Sequence, residues 1–184
     1  MQILGLLCFG KVDFEILEYL QEKLAEVFSE ILAEIQIIDE NCNVPENSYN
    51  PERNQYLSPL FLLSIRHFRD ENKYDKILGI TPLDLYIDQL NFVFGQAEFG
   101  LLAKAAMISL HRLHPEFYGQ PPNKNLFLKR VVKEGTHEIG HTFGLEHCNK
   151  QCIMVFSNSI MDTDTKPARF CEECLKKIQK RIKS

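Results

Sequence analysis

The chain contains no long uninterrupted apolar run, no surplus of positive charge and no internal repeat. Its apolar stretches fall far short of the ~20 residues needed to cross a bilayer, so no helical membrane span is expected. Lys and Arg number 21 against 25 Asp and Glu, and the resulting net charge of -4 points to neither nucleic acid nor an anionic membrane. No low-complexity tract or linker divides the 184 residues, so one domain, 1–184, is expected. Met1–Phe9 is apolar, but no basic segment precedes it, and Lys11, Asp13 and Glu15 cut it short. It reads as a first strand rather than a signal peptide. The expectation is a soluble, cytoplasmic, monomeric protein.

What the sequence does hold begins with a β-then-α unit. Gln2–Phe9 is a buried-strand pattern, and Phe14–Leu32 repeats apolar residues at helical spacing. Glu34–Ile38 is a second strand candidate, and Asp39–Pro51, polar and without period, reads as a surface loop. Leu57–Arg69 reads as a helix with Ser58 as N-cap and Pro59 in its first turn. Lys76–Thr81 is a short strand, and Asn91–Gly100 and Ala105–Leu110 read as neighbouring strands. Asn123 or Asn125 caps a helix over Leu126–Phe143 that Gly144 stops. Cys148–Arg169 shows no sustained period, and Cys171–Ile182 is a short basic helix.

The last predicted long helix carries the chemistry. His137 and His141 are four residues apart, which on a helix is about 40° in projection and ~6 Å along the axis, so both imidazoles can reach one zinc ion. Arg130, Glu134, Glu138 and His141 share the face of His137, while Leu128, Val132, Gly135, Ile139 and Phe143 gather on the opposite arc. A continuous helix carries His147 away from the pair. Gly144 can take a positive φ and turn the chain back, which makes His147 the third ligand. Three neutral imidazoles leave a fourth position for water, and Glu138 is placed to act as its general base. HExxH alone is short enough to arise by chance, and a structural zinc with an unused glutamate is the bland alternative. Five coincident positions on one predicted helix favour the catalytic reading.

Six cysteines remain. Cys8 and Cys42 stand alone and read as small buried or half-buried hydrophobes. Cys148 and Cys152, then Cys171 and Cys174, form two short-spaced pairs suited to a structural zinc with four thiolates. Two disulfides, or a redox CxxC at 171–174, are the rivals. Cys148 directly follows His147, so the two metals should lie on the order of 10 Å apart, and the structural site should brace the catalytic one. The expected cofactors are therefore two zinc ions per chain, with 144–184 as a zinc-held C-terminal subdomain behind a 1–143 body.

The run HEIGHTFGLEH fits HExxHxxGxxH, the mark of the metzincin clan of zinc peptidases. With His147-Cys148, the step Cys152-Ile153-Met154 and the later Cys171-Glu172-Glu173-Cys174, it resembles one family in that clan, the archaemetzincins. The block covers about a fifth of the chain. It departs from the family pattern in the spacing of its first two cysteines, between which an extra residue often lies, and this bears on loop geometry rather than ligand identity. The resemblance implies an α+β, zincin-like fold: a twisted mixed sheet packed on helices, an active-site helix and a zinc-stabilised C-terminal segment. It also implies a Met-containing turn beneath the catalytic zinc, with Met154 the candidate and Met161 the alternative, either of which could equally be core packing. An edge strand over Phe92–Phe99 would pair with an extended peptide, although these phenylalanines also read as plain core. A peptide or protein substrate follows, with peptide-bond hydrolysis as the activity; the alternative is a zinc-stabilised binding module without turnover.

Overall fold

The computed structural model describes residues 2–100 and 102–183; Met1 and Ser184, the ends of the expected strand and domain, lie outside them. The first half runs β1 (Gln2–Phe9), α1 (Phe14–Val27), β2 (Leu32–Cys42), β3 (Tyr49–Asn50), β4 (Gln55–Leu57), α2 (Ser58–Glu71) and β5 (Lys76–Thr81). The second runs β6 (Leu85–Ile87), β7 (Leu90–Val93), β8 (Gly95–Ala97), β9 (Ala105–Ser109), α3 (Lys124–Thr142), α4 (Ile160–Thr165) and α5 (Glu172–Lys183).

A mixed five-stranded sheet in the order β2-β1-β5-β9-β8 forms the frame. Its first four strands are parallel, and β8 closes the edge antiparallel to β9. Strand β1 lies inside this sheet with both faces covered, which is why it reads as a near-continuous apolar run. Its residues alternate strictly. Leu4, Leu6 and Cys8 face the core shared with α1 and α3, while Leu7 and Phe9 face the core under α2. A smaller sheet, β3-β4-β6-β7, lies beside α2. No described helix is long and apolar enough to cross a membrane.

Several boundaries depart from the sequence reading. The expected helix over Phe14–Leu32 ends at Val27, where the Phe28 N–H caps Leu24 O at 2.9 Å. Ile31 and Leu32 kept the apolar count going because they enter the same core from a turn and the start of β2. Strand β2 runs past the expected Ile38 to Cys42, taking the first residues of the presumed loop. Asp39 and Glu40 tolerate exposure because β2 is the sheet's outer strand. Leu57, not Ser58, occupies the N-cap of α2, and Ser58 is the first helical residue, with Pro59 beside it. The expected edge strand Phe92–Phe99 is split in two: Phe92 belongs to β7 of the small sheet, and only Gly95–Ala97 borders the large one. Helix α4, inside the stretch without period, is six residues long and held by a capping box between Ser159 and Asp162, too short to show a repeat.

Candidate active site

Helix α3 starts as the sequence indicates, with Asn123 Oδ1 accepting from the Leu126 N–H at 3.0 Å. Its C-terminal end is where the site is made. Gly144 sits at φ 74°, its N–H donates to His141 O at 2.7 Å, and the Leu145 N–H reaches back to Gly140 O at 3.2 Å. This pair of bonds is a Schellman closure, which needs a residue free of the left-handed penalty. The two carbonyls it leaves are taken by cations from distant elements. Lys76 Nζ, from β5, donates to Thr142 O at 2.9 Å, and Arg181 Nη1, from α5, donates to Phe143 O at 2.6 Å. The last turn of α3 therefore has no orphan acceptor.

The turn brings the three histidines together. Ligand-capable atoms of His137, His141 and His147 all lie within 4.8 Å of one another. His137 Nε2 and His141 Nε2 are 3.1 Å apart. Two nitrogens bound to one tetrahedral zinc at ~2.0–2.1 Å stand about 3.3 Å apart, so the pair fits a shared metal. The other ring nitrogens fix the tautomers. His137 Nδ1 lies 2.9 Å from Ile153 O and His141 Nδ1 2.7 Å from Leu145 O; a carbonyl only accepts, so each Nδ1 carries the hydrogen and each Nε2 keeps its lone pair. Burial pushes the pKa of all three imidazoles down, that of His137 furthest, which favours the neutral form a metal requires.

Glu138 follows His137 and is buried at one wall of a cleft of about 660 Å³. Burial, reinforced by the neighbouring Glu134 carboxylate, raises its pKa well above the usual carboxylate range. The cleft is otherwise bounded largely by apolar side chains of β6, β7 and the following residues, among them Ile87, Phe92 and Phe94, and by Phe156. The Phe156 ring packs against His147, with centroids 4.9 Å apart. Gly95 on β8 faces Glu138 directly.

The four clustered cysteines also converge, with their Sγ atoms within 4.8 Å of one another. Cys148 Sγ and Cys171 Sγ are 3.9 Å apart, and all six cysteines are free thiols. A disulfide needs ~2.05 Å, whereas two thiolates on one tetrahedral zinc at ~2.3 Å stand about 3.8 Å apart. The Cys171 N–H donates to Cys152 Sγ at 3.2 Å, the kind of bond that stabilises a thiolate. Cys8 is buried and Cys42 half-buried, as expected, and burial lifts the Cys8 thiol to about 11.

Between the two clusters lies Cys152-Ile153-Met154. The Cys148 N–H donates to Met154 O at 2.9 Å, and Ile153 O holds His137, so this turn is tied to both groups of ligands. Met154 is fully buried and its Sδ fills the space where a side chain on Gly140 would stand, whereas Met161 is exposed.

The polar face of α3 is less open than its wheel implies. Arg130 is buried and gripped by both oxygens of Asp164 at 2.7 Å, and donates to Leu113 O at 3.0 Å. Glu134 lines the cleft, accepts from Thr163 Oγ1 at 3.0 Å and pairs with Lys166 Nζ at 2.9 Å, both partners of that ion pair being buried. Lys166, Lys76, Arg181 and Gly95 carry no local sequence signal for these roles. Each acts on α3 from a separate element.

A family model described as peptidase family M54 matches residues 1–180. The chain belongs to that family. An archaemetzincin of Methanocaldococcus jannaschii is 50% identical over 175 residues, covering 94% of this chain and 90% of its own length. Among solved structures, an archaemetzincin from Methanopyrus kandleri superposes with a TM-score of 0.84 at 38% identity, covering 100% of this chain and 96% of its own. A zinc-dependent peptidase from Methanocorpusculum labreanum gives a TM-score of 0.83 at 31% identity, over 95% and 99% of the two chains. The mixed sheet packed on helices and the archaemetzincin resemblance of the motif block therefore agree with the family.

Proposed function

We propose that this M54 chain is a single catalytic domain that hydrolyses peptide bonds, with zinc held by His137, His141 and His147 and with Glu138 as general base. The observation that carries this reading is the paired Nε2 atoms of His137 and His141 at 3.1 Å, with both Nδ1 hydrogens committed to backbone carbonyls and Glu138 on the same cleft wall. Held by these three imidazoles, a zinc ion would supply Lewis acidity toward water and the scissile carbonyl. Glu138 takes the proton of the attacking water and hands it to the leaving amine, a role that its place on the cleft wall beside the histidines allows.

The substrate is a peptide or protein strand laid along β8. Phe94 O and the Glu98 N–H are spent on β9, so the backbone groups of Gly95 and Ala97 alternate to the free edge, where an extended chain can pair by β-augmentation. Cys148, Cys152, Cys171 and Cys174 would hold a second, structural zinc, and Met154, buried against Gly140, is the residue of the Met-containing turn.

The test is a peptide-library digest read by mass spectrometry, before and after removal of metal with a chelator. Cleavage that stops on chelation and returns with zinc supports the reading. Peptides retained but uncut by the zinc-loaded protein would instead mark a binding module.

A further inference from the structure

We propose that Arg181 is a positioning residue for the catalytic metal, acting from the C-terminal helix through the backbone of the turn that completes the ligand set. The inference rests on the reading that the three histidines hold zinc.

The turn 143–145 sets the two histidines on either side of it. Leu145 O orients His141 through a 2.7 Å bond to Nδ1, and the chain leaving Leu145 delivers His147. Phe143 O, at the base of this turn, is held by Arg181 Nη1 at 2.6 Å. The guanidinium occupies the space over Gly144, where a Cβ would overlap it, so Gly144 serves both the positive φ and the seating of Arg181. A cation at this end of α3 also meets the negative pole of the helix dipole. Helix α5, which carries Arg181, is anchored by Cys174 and by fully buried Ile178. The cysteine cluster is thereby joined to the histidine cluster by a further route, besides the peptide bond between His147 and Cys148 and the turn at Cys152–Met154. Order in α5 fixes Arg181, Arg181 fixes the Phe143 carbonyl, and the carbonyl fixes the turn.

Groups that hold metal ligands in place through hydrogen bonds typically govern metal affinity by ~10–100-fold, and Arg181 holds the turn whose Leu145 carbonyl does so for His141. The test follows zinc release from the zinc-loaded full chain into a chromogenic chelator, with the histidine-site phase identified as the one missing in His141→Ala. Arg181→Ala is expected to speed that phase at least ~10-fold and leave the cysteine-site phase unchanged, with Arg181→Lys restoring much of the loss. Lys180→Ala, which removes one charge from the same helix turn, is the control and should leave both phases as in the parent. Cobalt substitution gives an independent readout: the d–d bands of the histidine site should shift in Arg181→Ala while thiolate-to-cobalt charge transfer stays constant. Unchanged release and unchanged cobalt bands in Arg181→Ala overturn the proposal, as does an equal effect from Lys180→Ala. A parent with no His141-dependent zinc overturns the underlying reading instead, and the inference with it.

Discussion

Gly95 and Glu138 meet across the cleft: a Cβ on Gly95 would lie 2.6 Å from Glu138 Cγ, 2.7 Å from its Oε1 and 2.7 Å from Met107 O. Strand and carboxylate are packed too closely for any side chain at position 95. The backbone carbonyl cannot yield, so the glutamate must. Gly95→Ala is therefore expected to push Glu138 out of line and lower kcat by on the order of 100-fold, the usual cost of a 1 Å misplacement, with zinc content unchanged. Steady-state kinetics and metal analysis on one preparation check it.

Gly140 and Met154 set two opposed effects against each other. Alanine is the better helix former by about 1 kcal/mol, but a Cβ on Gly140 overlaps Met154 Sδ, and overpacking typically costs ~1–3 kcal/mol. Overlap with a fully buried side chain should win. Gly140→Ala is expected to destabilise, and Gly140→Ala with Met154→Ala to be less destabilised than the sum of the two single variants, as measured by denaturant unfolding.

The ion pair of Glu134 with Lys166 is buried on both sides, at 3% and 1% side-chain exposure. Lys166→Met strands a carboxylate beside the active site and should cost ~3–5 kcal/mol, whereas Lys166→Met with Glu134→Gln should recover most of that loss. A double-mutant cycle by chemical denaturation reads the coupling directly. Additivity would mean the charges do not depend on each other.

Lys76 contributes a pH dependence to stability. Burial lowers its pKa to about 8, below the ~10.4 of an unfolded lysine. Between these values the unfolded chain binds more protons, so stability rises with pH across the window. The contribution is fully present above ~10.4 and lost as pH falls through about 8, a swing on the order of 3 kcal/mol. The difference in unfolding free energy between the parent and Lys76→Met should change by that amount between pH 7.5 and 10.5. A constant difference would contradict the assignment.

The site was legible in the sequence because its signals are local. His137, Glu138 and His141 lie on one helix, Gly144 closes it and His147 follows three residues later, so spacing and one glycine turn give their grouping, and spacing does the same within each cysteine pair. The fold was legible where burial is two-sided, as in β1, or where a cap is explicit, as at Asn123. It was not legible where one core is filled from a helix, a turn and a strand in succession, which is why Phe28, Ile31 and Leu32 looked like more helix. The strand expected over Phe92–Phe99 failed because alternation does not say which sheet a strand joins. Lys76, Lys166, Arg181 and Gly95 each act through space on α3, and nothing in their own neighbourhoods of sequence marks them.

Glu138→Gln separates proton transfer by Glu138 from zinc binding by the three histidines. Zinc content and peptide turnover should be measured on the same sample beside the parent. Two zinc ions per chain are expected in both proteins, with turnover lower by at least ~100-fold in the variant. Parent-like turnover in Glu138→Gln with full zinc content would contradict it.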